Sequence, residues 1–531
     1  MNEPCHKTCN FGRLQKLKFY KYPAILLNNH IGRRESGNQR VFRKAKVLLV
    51  NPWIHDFTAF DLWSKPVGLL SIGRLLSGAG IEVSMLDLTN SVPKRKSDGT
   101  GQYSHEIIPT PPVLDGILRH RRYKRYGIPY TEAAHRANSH RRPDLILLTS
   151  AMTYWYRGVA ETVDFLKRAY GNVEIWAGGT YVELMPEHAR ENLDVSRIIN
   201  NMSPSQVANE VFDFLMIKPG ARWSDPDSID IYHPYSSDHC FVTRTSFGCP
   251  MNCSYCGSHT IHGQYRQRNP ESVALDILKA TRRGVRNITF YDDALLAGNS
   301  CHLKNVLDCL ETLLPPSLRP ESASSKPLAF HVPNGLHGRL MDSECAAMLA
   351  RWNFGTINIG YEFDDASHQD DTGGKIFRDE LETAVANLRN AGFGPERIRA
   401  YLLCGYPGTK LADLTDAIKA TVGAGARPAM ALFSPVPGSR DFQRLFSDMK
   451  VAGEPLLANK NIYPIHSGFC TEDEYAALRI AIQILEKELI SRGSVPDAPV
   501  MDILLRELEG VKKRWNPYPE AQNSNPVSGM D

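Results

Sequence analysis

Short apolar runs alternate with amphipathic stretches along most of this chain, and the alternation predicts an α/β fold. Runs of strand length such as "KVLLVNPW" and "DLILLTS" end in turn residues, whereas "YRGVAETVDFLKRAY" repeats apolar residues at helical spacing. Strands and helices follow one another in this way from 45 to 217, which predicts a doubly wound parallel sheet of five strands. The stretch at 90–142 breaks the pattern and is expected to be an insertion.

The alternation resumes after 218–239, a segment rich in Pro, Asp and Ser that is expected to be a linker. Helical stretches separate six further predicted strands, so residues 240–442 are expected to form a partial (β/α)6 barrel of the TIM type. In such a barrel the chemistry takes place at the C-terminal ends of the strands. The six strands are predicted at 241–248, 287–293, 328–336, 355–363, 397–408 and 428–436.

The two ends of the chain lack this pattern. Residues 1–44 are a basic, aperiodic extension. Its Cys5 and Cys9 are interpreted as free thiols in preference to a redox pair or a second cluster, because no third ligand is nearby. Residues 443–531 are expected to form a helical region, as in "EDEYAALRIAIQILEKELISRG", that ends in a disordered tail.

The composition narrows the class of protein. Eleven cysteines among 531 residues are too few for a secreted disulfide scaffold, and no apolar run is long enough to predict a membrane span. A cytoplasmic location is therefore expected. The net charge of +4 does not require a polyanionic partner. The cluster "RHRRYKR" at 119–125 suits either nucleic-acid binding or, more commonly, a solvated helix face.

Three cysteines lie close together in "SFGCPMNCSYCGS", directly after the first predicted barrel strand. A closed structural zinc site needs four ligands, and a disulfide framework needs an even number of cysteines. Three thiolates instead suit a cubane iron–sulfur cluster whose fourth iron keeps an open position. Zinc is the alternative, with His259 or His262 as the fourth ligand. The candidate metal ligands are Cys249, Cys253 and Cys256.

The spacing C-x3-C-x2-C, with Tyr255 before the last cysteine, resembles the radical S-adenosylmethionine (radical SAM) superfamily. The resemblance implies a [4Fe-4S] cluster on the three cysteines and S-adenosylmethionine on its open iron. One-electron reduction of that cofactor then yields a 5′-deoxyadenosyl radical. Tyr255 and Tyr291 are candidates for cofactor contact.

The other barrel strands agree with this resemblance at their ends. "FYDD" lies where the family's second strand contacts the methionine part of the cofactor, which implies roles for Asp292 and Asp293. Asn334 in "HVPNGL" and Glu362 in "IGYEF" resemble positions that face the adenosyl group or the substrate. A glutamate inside an apolar strand also needs a partner or a task. Glu362 and Tyr401 are the candidate catalytic residues.

The predicted N-terminal sheet resembles the Rossmann-like cobalamin-binding domain found upstream of the barrel in cobalamin-dependent radical SAM enzymes. The matching stretches include "NPW", "TSAMTYW" and "AGGTYVELMPE". The segment D-x-H-x-x-G, which supplies a histidine ligand to cobalt in many cobalamin proteins, is absent. The alternative is therefore a domain that has lost cobalamin and only docks a substrate. The candidate cobalamin contacts are Asn51, Trp53, Ser150, Gly178, Gly179 and Thr180.

Both resemblances together predict a C-methyltransferase that uses a 5′-deoxyadenosyl radical and methylcobalamin on an unactivated carbon. A cobalamin-dependent cyclase or rearranging enzyme that does not methylate is the first alternative, and a nucleic-acid-binding iron–sulfur protein is the second. Methylthiotransferases are disfavoured, because that family carries three more cysteines in its N-terminal domain and residues 46–239 contain none. The expected partners are a small-molecule or peptide substrate and a one-electron reductant such as flavodoxin or ferredoxin.

Overall fold

The computed structural model describes residues 44–96, 100–218, 228, 240–298, 300–320, 327–446 and 453–492. These residues form parallel sheets flanked by helices, which confirms the predicted α/β class. The predictions for the N-terminal extension with its two cysteines, for most of the linker and for the C-terminal tail lie outside the described residues. No described helix has both the length and the apolar character to cross a membrane.

The first unit consists of ten strands and six helices within the described residues. Its strands are β1 (Lys46–Asn51), β2 (Ile54–Asp56), β3 (Phe60–Asp61), β4 (Glu82–Asp87), β5 (Gly101–Gln102), β6 (His105–Ile107), β7 (Lys124–Tyr126), β8 (Leu145–Leu148), β9 (Ile175–Ala177) and β10 (Arg197–Ile198). Its helices are α1 (Val67–Gly78), α2 (Tyr130–Ser139), α3 (Tyr156–Tyr170), α4 (Thr180–Leu184), α5 (Pro186–Asn192) and α6 (Pro204–Phe214).

Five of these strands form one parallel sheet in the order β10-β9-β8-β1-β4. Alternate residues of β1 face opposite sides of it, as the period of a strand requires. Val47 and Leu49 pack in the cluster that includes α1 and α6, and Leu48 and Val50 pack in the cluster that includes α3. The order of the strands reverses between β1 and β8, and open α/β sheets bind ligands at the carboxyl ends of the strands beside such a reversal.

The second unit has eight strands within the described residues, and its helices lie between and after them. Its strands are β11 (Cys240–Thr243), β12 (Ser246–Phe247), β13 (Arg266–Gln267), β14 (Asn287–Phe290), β15 (Ala329–His331), β16 (Ile357–Glu362), β17 (Ile398–Cys404) and β18 (Arg427–Leu432). The helices are α7 (Ser258–His262), α8 (Pro270–Arg282), α9 (Cys301–Leu313), α10 (Ser343–Arg351), α11 (Ala366–Thr372), α12 (Arg378–Asn390), α13 (Leu411–Gly423), α14 (Arg440–Phe446), α15 (Tyr463–His466) and α16 (Glu472–Arg492).

Six strands of this unit run parallel in chain order. They form the sheets β11-β14-β15 and β16-β17-β18, and the parallel bridges from Phe330 to Phe354 and from Leu336 to Ile359 join the two. The apolar side chains of these strands and of helices α8, α9, α10, α12 and α13 form one core. Their C-terminal ends consequently lie on one side of the unit, where the loops of the candidate site follow.

The two units share apolar contacts in the described part of the chain. The Trp63 ring, from the loop after β3, stacks on His331 of β15 with 4.5 Å between the ring centroids. Helix α16 packs into the core of the second unit, whereas the turn Pro455–Ala458 packs into the core of the first. These contacts place the carboxyl edge of the five-stranded sheet beside the C-terminal ends of the second set of strands.

Candidate active site

The cysteine loop, residues 248–257, follows the short strand β12 at the end of the first parallel strand of the second unit. Gly248 begins it with φ +74, a left-handed conformation that glycine adopts at little cost. The thiols run from core to surface, because Cys249 is buried, Cys253 is half-buried and Cys256 is exposed. Backbone N–H groups at 3.4 Å donate to the Sγ atoms of Cys249 and Cys256. Such N–H···S bonds favour thiolates over thiols.

The charges of the loop suit a bound cation. Burial, and less strongly the neighbouring Cys253 and Cys256 thiols, raises the pKa of Cys249 to about 11. Burial also raises the pKa of Cys253, which the Lys375 ammonium lowers in part. Iron that replaces the thiol protons relieves this desolvation and repulsion, so the three residues fit an iron–sulfur cluster.

The two histidines considered as a fourth zinc ligand contact other groups. Nε2 of His259 lies 2.7 Å from the Met251 carbonyl oxygen, and Nε2 of His262 lies 3.5 Å from Oδ2 of Asp293. Among the described residues, no three His, Cys, Asp or Glu side chains form a preformed metal-ligating group.

Glu362 ends β16 in an unusual backbone conformation beside the cysteine loop. Its φ is +67, and the pairing of β16 with β17 shifts register between Gly360 and Glu362. Its Oε1 accepts a hydrogen bond of 2.6 Å from Nζ of Lys375, and both side chains are nearly buried. A non-glycine residue in this region stores strain, which is common at functional sites. The buried Tyr255 hydroxyl lies in the same region, beside the Cys253 thiol.

The two aspartates of "FYDD" have different surroundings. Asp292 is 2% exposed, and its carboxylate accepts hydrogen bonds from the backbone N–H groups and hydroxyls of Thr245 and Ser246. Burial raises its pKa, and these hydrogen bonds lower it in part. The Asp293 carboxylate is more exposed and faces His262. Asn334 donates from Nδ2 to the Asp292 carbonyl oxygen at 2.9 Å, which ties the ends of β14 and β15 together.

The two tyrosine candidates of the second unit make contacts through their hydroxyls. Tyr291 donates to the carbonyl oxygen of Leu62 at 3.1 Å and so joins the two units. Tyr401 donates to the carbonyl oxygen of Pro333 at 3.0 Å, beside Asn334. Burial raises the pKa of both, to about 12 for Tyr291, so both phenols are protonated at neutral pH.

Two residues at this end of the strands were not predicted from the sequence. Lys375 is the ion-pair partner of Glu362, and its only sequence signal is the Gly-Gly pair before it. His337 is 3% exposed, and its Nε2 lies 3.9 Å from Sγ of Cys249. Its Nδ1 and the Oδ1 of Asn358 are buried without a partner among the described residues. The unsatisfied ring nitrogen of His337, beside the cysteine loop, fits a polar ligand such as S-adenosylmethionine.

Most of the candidate cobalamin contacts lie at the carboxyl edge of the first sheet. Ser150 donates from Oγ to the Gly178 carbonyl oxygen at 2.7 Å, and Thr180 begins α4. Gly179 is exposed with φ +93, and a β-carbon there would lie 2.3 Å from the Ser150 carbonyl oxygen. Only glycine therefore fits at this close approach. Asn51 donates to Asp87 and Thr89 across the ends of β1 and β4.

Trp53 is a core residue instead. It is 1% exposed, its Nε1 donates to the Ile128 carbonyl oxygen at 2.8 Å, and its ring contacts Tyr130 and Phe165. Its side chain consequently has no surface for a cofactor, which differs from the role expected from "NPW". The reason is the insertion, which folds over the end of β1 through strands β6 and β7.

The basic cluster at 119–125 is used within the molecule. Arg121 pairs with Glu472 at 3.3 Å and lies over the Tyr475 ring, and Arg125 pairs with Glu106 and Glu161. These guanidinium groups attach the insertion to α16 and α3.

Comparison with known proteins identifies the second unit. Residues 243–420 match the family model described as "Radical SAM superfamily". No curated protein sequence matches the chain significantly. Among solved structures, the radical S-adenosylmethionine methyltransferase TsrM from Kitasatospora setae, with tryptophan and an S-adenosylmethionine analogue bound, superposes with a TM-score of 0.55 at 16% identity over 75% of each chain.

Two further structures were compared with the chain. TsrM with cobalamin and a [4Fe-4S] cluster bound gives a TM-score of 0.54 at 15% identity, over 75% of this chain and 74% of that one. The cobalamin-dependent S-adenosylmethionine radical enzyme OxsB gives 0.47 at 12% identity, over 81% of this chain and 57% of that one. At these identities the TsrM comparisons show a shared fold. The cysteine loop lies within the family match, so residues 243–420 form a radical SAM domain, a class that uses a [4Fe-4S] cluster and S-adenosylmethionine.

Proposed function

We propose that the protein is a cobalamin-dependent radical SAM C-methyltransferase that acts on an unactivated carbon of a small molecule or peptide. In this proposal residues 45–217, with the insertion 90–142, are a Rossmann-like cobalamin-binding domain. The linker 218–239 connects it to a partial (β/α)6 barrel at 240–442, which holds the cluster and S-adenosylmethionine. Residues 443–531 are a helical C-terminal region.

The observation that carries the proposal is the contact between the carboxyl edge of the first sheet and the cysteine loop. Helix α4, which follows β9, packs against α7 at the end of that loop. A β-carbon at Gly257 would lie 3.9 Å from Cδ2 of Leu184. A cofactor at this edge would lie beside the cluster, as chemistry with two cofactors on one substrate requires. TsrM, which shares the fold over 75% of this chain, is by its description a methyltransferase and has cobalamin bound.

Part of that edge is open in a way that suits a large cofactor. Ala151 and Gly179 are exposed, and the apolar Met152 keeps 44% of its surface exposed between them. An exposed apolar side chain beside bare backbone favours contact with a flat, largely apolar ring. Met152, Gly179 and Thr180 are the residues we expect to hold cobalamin, whereas Trp53 is not available.

The residues of the barrel have separate tasks in this proposal. When bound, S-adenosylmethionine on the cluster supplies radical chemistry and cobalamin supplies the methyl group. The three cysteines hold the cluster, and His337 contacts the buried sulfur. Glu362 and Lys375 present a charged pair to a polar ligand.

Two further parts of the proposal concern partners. An external one-electron reductant, such as flavodoxin or ferredoxin, is required by the family chemistry, and the exposed Cys256 marks where the cluster comes closest to the surface. The protein is expected to act in the cytoplasm.

Anaerobic reconstitution tests the proposal. The full chain is loaded with iron, sulfide and hydroxocobalamin, desalted, and treated with reductant and S-adenosylmethionine labelled in its methyl group. Mass spectrometry then measures cofactor cleavage products and labelled methylcobalamin. Cys253→Ala removes a proposed cluster ligand, and Cys309→Ala is the matched control, because Cys309 is a buried core residue of α9.

The expected result is cobalamin retained at about one per chain, labelled methylcobalamin in the wild type and in Cys309→Ala, and loss of cofactor cleavage in Cys253→Ala. Cobalamin that washes off while the cofactor is still cleaved would overturn the methyltransferase proposal and make the first unit a substrate-docking domain. Retained cobalamin without any methylation of cobalt would favour the cyclase alternative.

A further inference from the structure

A buried polar network holds the segment that leads into the cysteine loop. Oδ1 of Asp292 accepts hydrogen bonds from Thr245 Oγ1 at 2.6 Å, Ser246 N at 2.7 Å and Ser246 Oγ at 2.7 Å. Both carboxylate oxygens lie 3.0 Å from Thr245 N. All three side chains are at most 2% exposed. One carboxylate therefore satisfies four donors from two consecutive residues.

This network starts where the regular pairing of two strands ends. The last paired residues of β11 and β14 are Thr243 and Phe290, and Tyr291 N donates to the Thr243 carbonyl oxygen at 2.9 Å. Beyond that point the N–H groups of Thr245 and Ser246 bond to the Asp292 side chain, which takes the place of the β14 backbone. The chain then reaches Gly248 and the first cysteine within three residues.

The opposite side of the same segment is also held. The Thr245 carbonyl oxygen accepts from Arg268 N at 2.8 Å and lies 3.0 Å from Nε2 of His302. The Arg268 guanidinium donates to the Arg244 carbonyl oxygen and pairs with the buried Asp276. Residues 244–246 are thus held from both sides by buried charged residues. The Asp292 carboxylate binds their N–H groups, and Arg268 binds their carbonyl oxygens.

We propose that Asp292 is a positioning residue that sets the entry of the cysteine loop, and that it is not a contact of S-adenosylmethionine. The proposal rests on the assignment of the cluster to the three cysteines, but on neither cobalamin nor methyl transfer. Its carboxylate is 2% exposed and its Oδ1 already accepts four hydrogen bonds from buried donors, so a ligand amine could reach it only if this packing opened. Asp293, whose side chain is partly exposed beside His262, keeps the ligand-binding role.

Cluster assembly distinguishes the two roles. Asp292→Ala removes every acceptor, whereas Asp292→Asn keeps one oxygen that can occupy the place of Oδ1. We expect the iron and sulfide bound per chain after reconstitution to fall at least fivefold in Asp292→Ala and to recover to more than half of wild type in Asp292→Asn. The affinity of the assembled cluster for S-adenosylmethionine, followed by the change in its electron paramagnetic resonance spectrum, should stay within twofold in Asp292→Asn.

Asp293→Asn is the matched control, with the same chemical change one residue away. It should bind wild-type iron and sulfide and lose S-adenosylmethionine affinity. If Asp292→Ala does not fold, Ser246→Ala and Thr245→Val remove two of the four donors, and a broadened cluster spectrum is expected from them. A full cluster with a wild-type spectrum in the Asp292 variants, together with a tenfold loss of S-adenosylmethionine affinity, would overturn the proposal. Cobalamin release in the earlier experiment would leave this result unaffected.

Discussion

The ion pair between Lys375 and Glu362 offers a direct test of how the site is held together. Nζ of Lys375 lies 2.6 Å from Oε1 of Glu362, and the two side chains are 14% and 9% exposed. The pKa of Lys375 is raised above 10.5: burial alone would lower it, but Glu362 and the Cys253 and Cys256 thiols raise it more. The ammonium is therefore charged at neutral pH. Lys375→Met removes that charge and keeps most of the apolar length.

The expected cost follows from the burial of the partner. Removing one member of a buried ion pair leaves the other desolvated without a counter-charge, which typically destabilises a protein by about 3–5 kcal/mol. Replacing both members, in Glu362→Gln with Lys375→Met, leaves no buried charge. The loss in free energy of unfolding of the double variant should therefore be smaller than the summed losses of the two single variants, by at least about 1.5 kcal/mol. Glu362→Gly should lose less than Glu362→Gln, because glycine relieves a strained φ of +67.

Urea denaturation of the metal-free protein, followed by circular dichroism, gives the free energy of unfolding of each variant. Lys419→Met is the matched control, because its pair with Asp416 is exposed at 45% and 59% and should contribute less than about 0.5 kcal/mol. A lysine whose pKa is raised on folding stabilises the protein fully below pH 10.5, and this stabilisation is lost only as pH rises through the raised pKa. The difference in free energy of unfolding between wild type and Lys375→Met should therefore be constant between pH 7 and 9. A loss in Lys375→Met no larger than in Lys419→Met, or strictly additive single losses, would refute the reasoning.

Two further predictions concern His337 and Gly179. Burial lowers the pKa of His337 from 6.5 to about 4, so the native state resists its protonation. The stability of the metal-free protein should fall by up to about 3 kcal/mol as pH drops from 6.5 to 4, and His337→Gln should remove that part of the urea-midpoint profile. Gly179→Ala would place a β-carbon 2.3 Å from the Ser150 carbonyl oxygen and should cost more than Gly80→Ala, which has a similar φ but open space. Equal losses in thermal unfolding would contradict the close approach.

The apolar pattern predicted the regular elements well because their cores follow the periods of strands and helices. Each of the six parallel strands predicted for the second unit is present, and helices lie between them. The strands were predicted too long at their C-terminal ends: 397–408 was expected where β17 is Ile398–Cys404. Apolar residues continue there into loops that pack beneath the site, so hydrophobicity alone does not mark the end of hydrogen-bonded pairing.

The burial of Trp53 depends on distant parts of the chain and could not be predicted from the residues around it. A residue that follows a strand at the carboxyl edge has the sequence signal of a ligand contact. In the fold its backbone and ring pack against Gly158 and Gly127, where a β-carbon would lie 2.3 Å from the Trp53 carbonyl oxygen and 2.9 Å from its Cδ1. Two glycines from distant parts of the chain thus make room for a buried indole. The insertion that supplies one of them was recognised only as a break in the alternation.

The motif "FYDD" predicts the same role for Asp292 and Asp293, but the two side chains have different surroundings in the fold. Successive residues of an extended chain point to opposite sides, so at most one of two neighbouring carboxylates can face the ligand side of a strand end. That rule could have been applied to "FYDD" from the sequence. Choosing between the two required the register of β11 against β14, which brings Thr245 and Ser246 to Asp292. The information missing from the sequence was therefore one strand register, and it decides which aspartate holds the cysteine loop and which remains open to a ligand.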